Sequence, residues 1–552
     1  MEAIIKFLNK LAVNGVRLAT EDGQLNCYAQ KGRLTADIRD GIVRYKSEII
    51  ALLQSDGKHP LAHTDGSPLK PNEFPLSAGQ RRLYSLQKLY PRMSAYNVPL
   101  CLKIRGEINA EMLARAWAYV LEQFPILTVK VIEENGDLCH RLDDDCNMAI
   151  ERRWVDCADD EGWVSFLQKE AAEPFDLNRG PLTRIGWFSQ DKCRSVLLLT
   201  AHQVVCDRLS AMIVLKSFLK YYQQLCEGES VCLSHDLPGY EDFVAAEEAM
   251  LASAEGASHA RYWQQQLAGD LPAGEPLPDF PRLAGASCAG LTMVEELPEE
   301  LSSWVHSFSK EHSLPPSVLF EGMFQFLLHK YTNQDDIIVA TPITGRVAQK
   351  FAAAVGTFVN MVPLRTRCDK RLKVIDFLRR VQGTMLDATQ HSDFPCALIL
   401  DKEKGIRVRE NSICRVSYEY QSCVRQTVCT PLIQQRGLCI ESVPELSQEH
   451  GSDLGLEVIE QEASFSLHIK YDSQLYRQAT VRRFIDHYCT LLRGISRNPN
   501  LRLDEYPIVA EQERRRLLVE YNDTGADYPR EKCIHQLFAE QVRNDPGKTA
   551  VV

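Results

Sequence analysis

In the stretch "LLLTAHQVVCDRLSAMIV", a histidine, a glutamine and an aspartate follow an apolar run in fixed spacing: His202, Gln203 and Asp207. An imidazole titrates near neutrality and is suited to moving a proton during a reaction. A glutamine amide does not titrate, so Gln203 can hold a reacting group by hydrogen bonding but cannot act as a general base. A carboxylate among apolar residues is costly unless a cation meets it, and Asp207 therefore predicts an arginine partner. Arg82, Arg184 and Arg346 are candidates, and Arg208 is a fourth whose adjacency makes the geometry awkward.

The elements that position these residues follow from the apolar pattern. Val196 to Leu199 is apolar without alternation, which predicts a strand covered on both faces, and Leu209, Ile213 and Phe218 recur at helical spacing. The three side chains thus stand at a strand-to-helix junction. Successive residues of a strand face opposite ways, so bringing His202 to the position of Gln203 requires a one-residue register slip.

This stretch resembles the HHxxxDG signature of the condensation domains of nonribosomal peptide synthetases, with His202 at the first histidine and Asp207 at the aspartate. Gln203 stands where the family carries its second histidine, the one assigned to the reacting amine, and Arg208 stands where it carries glycine. The resemblance implies that His202 is a buried histidine satisfied by hydrogen bonds and that Asp207 is tied to an arginine bracing the loop. Glycine at position 208 leaves room for a pantetheine arm. Arginine adds bulk and a permanent charge, which narrows the donor route, binds an acidic group on the donor, or turns outward to solvent.

Further motifs of that family follow in order from Phe74 to Pro507. "LSAGQRRLYSLQKLYPRMSAYNVP" places Gln80, Arg82 and Tyr84 on a helix and Tyr96 and Asn97 in the next turn. "PFDLNRGPLTR", "YEDF" and "RYWQQQLAG" come next. "DDIIVATPITGR", "VGTFVNMVPLR" and "HSDFP" supply Arg346, Gly356, Asn360, Arg365, His391 and Asp393. The resemblance implies an α/β (α+β) fold of two chloramphenicol-acetyltransferase-like lobes arranged as a V, with a tunnel between them entered from opposite faces. Arg208, Asn360 and Gly356 are expected on its donor side, and Arg82, Arg184 and Arg346 in structural support.

Ahead of these motifs, Ile4, Ile5, Leu8 and Leu11 form a helical stripe, Asp22-Gly23 is a hairpin-turn signal, and Ile42 to Leu53 is amphipathic. The order αββαα and the phrase "NGVRLATEDGQLNCYAQKGRLTADIRDGIVRYKSEIIALL" are similar to the tubulysin-type docking domains of synthetase subunits. That resemblance implies capture of the acidic C-terminal tail of an upstream subunit by strand addition, with Arg17, Leu25, Cys27, Lys31 and Arg33 at the docking surface. The expected division is 1–55 docking domain, 56–73 linker, 74–250 first lobe, 251–507 second lobe, and 508–552 a linker with the start of an adenylation domain. The sequence predicts a fragment cut just inside that third domain.

Composition excludes other classes. The formal charge of −11 argues against a nucleic-acid binder, and no apolar run is long enough to span a bilayer. Eighteen cysteines without a CxxC pair indicate neither a zinc site nor a disulfide scaffold, so reduced thiols in the cytoplasm and no bound metal are expected. The resemblance implies substrates carried on the phosphopantetheine of upstream and downstream carrier proteins, with no cofactor bound by the chain itself. Three readings remain: amide formation driven by positioning, a non-catalytic domain that binds carriers and gates transfer or recruits a tailoring enzyme, and altered chemistry on a tethered intermediate.

Overall fold

The computed structural model describes residues 17–21, 24–28, 36–46, 72–134, 137–143, 148–156, 160–234, 237–272, 274–282, 290–346, 349–402, 415–422, 433–435, 438–442, 451–525, 527 and 529–549. Lys31, Arg33, the first predicted helix and nearly all of the linker lie outside the described residues. The chain divides into two compact units, residues 1–506 and 507–552.

In the first unit, β1 (Arg17–Glu21) and β2 (Gln24–Tyr28) pair antiparallel from Arg17 opposite Tyr28 to Glu21 opposite Gln24. That register brings Glu21 opposite Gln24, while Asp22 and Gly23, the turn the dipeptide predicts, lie outside the described residues. Leu25 stands opposite Thr20 and Cys27 opposite Leu18. Helix α1 (Ala36–Arg44) follows. Next come β3 (Glu73–Pro75), α2 (Ala78–Leu89), β4 (Asn97–Arg105), α3 (Ala110–Gln123), β5 (Val129–Glu134), β6 (Asp137–Leu142) and β7 (Arg152–Trp154). Then α4 (Asp160–Ala172), β8 (Thr183–Ser189), β9 (Arg194–His202), α5 (Arg208–Glu227), α6 (Tyr240–Leu251) and α7 (Ala254–Gln266) lead out of this half. The second half runs β10 (Gly290–Glu296), α8 (Glu299–His312), α9 (Pro316–Thr332), β11 (Asp336–Thr344), β12 (Val359–Arg367), α10 (Val374–Gln390), α11 (Cys396–Lys402), β13 (Val416–Gln421), β14 (Ile433–Gln435), β15 (Leu438–Ser442), β16 (Leu454–Glu460), β17 (Phe465–Asp472) and α12 (Gln478–Arg497).

Two six-stranded sheets organise these elements, in the orders β14-β15-β4-β9-β8-β7 and β10-β17-β16-β13-β11-β12; a smaller one is ordered β3-β6-β5. Strand β9 is buried from Ser195 to His202 with no exposed face. Leu197, Leu199 and Ala201 enter the core that also holds Trp117 of α3 and Phe218 of α5, while Val196 and Leu198 meet Leu167 and Ala171 of α4. The absence of alternation in the sequence is this double coverage. Leu209 departs from the predicted stripe: it is nearly half exposed in the first turn of α5, and the packed face begins at Ala211 and Ile213. In the second sheet Phe465 packs on Phe320 of α9, and Tyr418 donates to the Ser317 carbonyl at 2.8 Å.

The sheets correct the expected division at residue 250. Strand β15 pairs antiparallel with β4, Cys439 opposite Arg105 and Ser442 opposite Leu102, so residues expected in the second lobe complete the first sheet. The physical reason is the otherwise unpaired edge of β4, whose amides and carbonyls need partners. Ile440 anchors this crossover, 2% exposed in the first core. In the second unit, α13 (Glu511–Arg515) and α14 (Ile534–Asn544) bury none of their own side chains, and Ile534 and Phe538 are exposed. Among the described residues no helix is long and apolar enough to cross a membrane.

If the crossover is integral to the first core, Ile440→Ala should cost about 2 to 5 kcal/mol in chemical denaturation, the range for truncating a buried isoleucine. A loss below about 1 kcal/mol would show that β15 does not pack there.

Candidate functional site

The end of β9 is fixed before its side chains matter. The His202 amide donates to the Leu182 carbonyl at 2.8 Å, and the His202 carbonyl accepts from Val205 at 3.0 Å and Cys206 at 3.2 Å, turning the chain toward α5. The Gln203 backbone amide donates to the Tyr96 carbonyl at 2.7 Å, and the Gln203 carbonyl accepts from the Thr357 hydroxyl. The His202 ring lies wholly buried, edge-on to Tyr96 and Phe175. Its Nδ1 accepts from the Val204 amide at 3.1 Å, which assigns the proton to Nε2, 3.2 Å from Gln87 Oε1. Burial, aided by the positive charge of Arg184, lowers its pKa to about 3. His202 is therefore a neutral structural imidazole at ordinary pH, and no register slip brings it to the surface. Gln203 is the partly exposed member of the pair, and none of the described residues hydrogen-bonds its side-chain amide.

Asp207 caps α5 and gathers three segments around one carboxylate. Oδ1 accepts from the Ser210 amide at 2.7 Å and from Arg346 Nη2 at 3.1 Å, and Oδ2 accepts from the Phe358 amide at 2.9 Å. The pair is buried, with side chains 7% and 4% exposed. Arg346 also donates to the carbonyls of Phe351 at 3.1 Å and Ala354 at 2.6 Å and lies 3.9 Å over the Phe358 ring. The structure thus selects Arg346 from the sequence candidates. Arg184 instead stacks on Phe175 and donates to the Glu173 and Pro174 carbonyls. Arg82 is half-buried on α2, and Arg208 is exposed as the first residue of α5.

Asn360 and Gly356, expected on the donor side, make specific contacts of their own. Both amide hydrogens of Asn360 go to the Ser392 and Phe394 carbonyls at 2.8 Å, and its oxygen accepts from Cys396 at 3.0 Å, so the side chain braces the turn before α11. A Cβ on Gly356 would collide with the Tyr240 ring, so glycine there permits that close packing. The Gly356 carbonyl accepts from the Asp207 amide at 2.9 Å and the Ser210 hydroxyl at 2.7 Å.

Sequence reasoning missed the supports behind the loop. Gln80 Nε2 donates to the Val204 carbonyl at 2.6 Å, and Ser77 and Gln80 form a reciprocal capping box at the start of α2. The S-x-x-Q spacing of "SAGQ" signals that box. The Tyr240 hydroxyl meets Ser77 Oγ at 2.9 Å and the Thr357 carbonyl at 2.6 Å, a contact with no local signal. Among the described residues no cluster of three metal-ligating side chains occurs. The arrangement can position a polar reactant at Gln203 but offers no imidazole there to take its proton.

Asp207→Ala should cost about 3 to 5 kcal/mol by stranding the buried Arg346 charge, whereas Asp207→Ala combined with Arg346→Met should cost less than the sum of the single losses. Thermal and denaturant unfolding check both, and additivity would remove the pair from its bracing role.

Residues 70–518 match the condensation domain family, and residues 4–55 match the TubC N-terminal docking domain. The chain is 31% identical over 481 residues to polyketide synthase PksN of Bacillus subtilis (strain 168), an alignment covering 87% of this chain and 9% of that protein. It is 26% identical over 479 residues to tyrocidine synthase 2 of Brevibacillus parabrevis, covering 87% and 13%. The chain thus spans about a tenth of the length of these relatives. Among solved structures, a four-domain nonribosomal peptide synthetase bound to AMP and glycine superposes with a TM-score of 0.74 at 18% identity, covering 88% of this chain and 38% of that one. The X-domain from teicoplanin biosynthesis gives 0.72 at 17% identity, covering 82% and 100%. With the family matched over most of its length and the motif loop built as described, the chain belongs to the condensation-domain family of the nonribosomal peptide synthetases and carries a TubC-type docking domain at its N-terminal end.

Proposed function

We propose that this chain joins a carrier-bound acyl or peptidyl donor to a carrier-bound aminoacyl acceptor by amide formation, mainly through positioning. The acceptor amine attacks the donor thioester carbonyl, the C–N bond forms as the C–S bond breaks, and the proton lost by the amine goes to the departing thiolate or to solvent. The observation that carries this reading is the state of the motif pair: Gln203 is presented by the loop, while His202 is locked beneath it as a neutral imidazole. A glutamine amide orients an amine without titrating. Holding two reactants in register can supply roughly 7 to 11 kcal/mol of a barrier, so a free amine needs little base. Arg208, exposed at the start of α5, is suited to meet an acidic group on the donor.

The same observation favours a second reading, in which the domain binds carriers without catalysing transfer and either gates the assembly line or recruits a tailoring enzyme. Single-turnover mass spectrometry on loaded donor and acceptor carriers separates the two. If positioning dominates, the native chain forms product, and Gln203→Ala lowers the rate by no more than about 10- to 100-fold, because one neutral hydrogen bond is worth on the order of 1 to 2 kcal/mol. Silence in the native chain, with activity restored in the double variant Gln203→His, Arg208→Gly, sinks the positional reading.

For the docking domain we take the partner to be the acidic C-terminal tail of an upstream subunit, added as a strand to the β1/β2 hairpin. The basic residues Arg17, Lys31 and Arg33 suit such a tail. The full chain should bind peptides from cognate tails in a salt-sensitive way, and Arg33→Glu should weaken binding by up to about 1 kcal/mol. Salt-insensitive binding, or none to any cognate tail, overturns this assignment. A cytoplasmic setting, in which thiols stay reduced, suits the buried thiols of Cys101 and Cys206.

A further inference from the structure

We infer that Glu247 of α6 is a positioning residue for the Gln203 loop, which it holds by clasping the amino end of α2. The contact is specific. Glu247 Oε2 accepts from the Ala78 amide at 2.9 Å, and Ala78 is the first residue of α2. That amide is one of the orphan donors every helix exposes at its start, here satisfied by a side chain 169 residues away. The first turn of α2 carries no acidic residue of its own.

From this clasp a chain of bonds leads to the site. Ser77, the residue before Ala78, caps α2 through the Gln80 amide, and the Gln80 side chain returns to the Ser77 amide while donating to the Val204 carbonyl. Two turns further along α2, Gln87 meets His202. Tyr240, on the same helix as Glu247, bonds Ser77 and the Thr357 carbonyl, and the Thr357 hydroxyl bonds the Gln203 carbonyl. Helix α6 therefore grips the loop through α2 and through Thr357, and Glu247 fixes the α2 side of that grip.

The surroundings decide how the grip responds to pH. Glu247 is buried, and burial raises its pKa to about 7 against the opposing pull of the Ala78 amide and the Arg81 guanidinium. Glu248 on its own helix raises it further, while His140 of β6 stands near Arg81 and the Tyr240 phenol faces Glu247 itself. The folded chain keeps this proton up to about pH 7, whereas an opened α2 end, with the carboxyl group in water, loses it near 4.5. Opening thus becomes easier as pH rises between those values and levels off above about 7. A protonated carboxyl group still offers its carbonyl oxygen to Ala78.

Hydrogen exchange of the full chain, read by mass spectrometry over residues 78–89 and 202–210 and corrected for intrinsic rates, tests this directly. Native protection should fall from pH 5.5 to 7.0 by up to about tenfold per pH unit and then hold steady. Glu247→Gln, which keeps a neutral acceptor, should give pH-independent protection, and Glu247→Ala should be poorly protected throughout. The same pH response in the native chain and the glutamine variant, or native protection in the alanine variant, overturns the inference. Where transfer activity is present, its single-turnover rate should share the inflection near pH 7 and lose it in Glu247→Gln. Absence of product would count against catalysis alone, since the exchange measurement does not depend on it.

Discussion

The Asp207 carboxylate is the constraint around which the site is built. It accepts from the first turn of α5, from the backbone just before β12 and from a guanidinium just after β11. A buried carboxylate and a buried guanidinium each lose their water on folding, and their attraction offsets that cost only when the remaining hydrogen-bonding positions are filled. The neighbouring contacts fill most of these positions, while Arg346 Nε stays without a partner among the described residues. Arg346 spends its other terminal nitrogen on two carbonyls, and Ser210 exchanges hydrogen bonds with Gly356 and accepts from Arg346. The loop joining β11 to β12 therefore wraps the junction of β9 and α5, and two sheets from distant parts of the chain meet at one ion pair.

This clamp explains why the two motif side chains have such different fates. With Asp207 holding the start of α5 and the Leu182 carbonyl holding the end of β9, only a short turn separates the two fixed points. His202, the last residue of β9, then lies inward, where Tyr96 and Phe175 enclose it, and Gln203 opens the turn beyond the strand and stays partly exposed. An imidazole so enclosed loses too much hydration to carry charge and serves as a donor and acceptor of fixed tautomer. Its work is to satisfy Val204 and Gln87.

What the sequence made legible was local. The unbroken apolar run gave β9, the Asp22-Gly23 pair gave the hairpin, and Asp207 among apolar residues called for a cation, while its capping of α5 appeared only in the structure. Arg346 could be shortlisted but not chosen, because it lies 139 residues away and only the wrapping loop brings it near. The crossover of β15 onto β4 was hidden for the same reason: strand pairing at long separation leaves no periodicity in either strand. Asn360 and Gly356 show a different limit. Their contacts, with the carbonyls of Ser392 and Phe394 for Asn360 and with the ring of Tyr240 for Gly356, are set only in three dimensions.

The side chains of Gln203 and Arg208 stand outside the three bonds that Asp207 makes. Gln203 enters the loop through its backbone alone, its amide on Tyr96 and its carbonyl on Thr357, so a change of side chain leaves those bonds intact. Arg208 occupies the first helical position with its side chain exposed, outside the bonds that Asp207 makes to Ser210, Phe358 and Arg346. His202 and Asp207 hold the loop from within, whereas Gln203 and Arg208 stand at its accessible side. Substitution at either of the latter positions alters the charge and hydrogen-bonding groups of the loop while leaving the clamp beneath it in place.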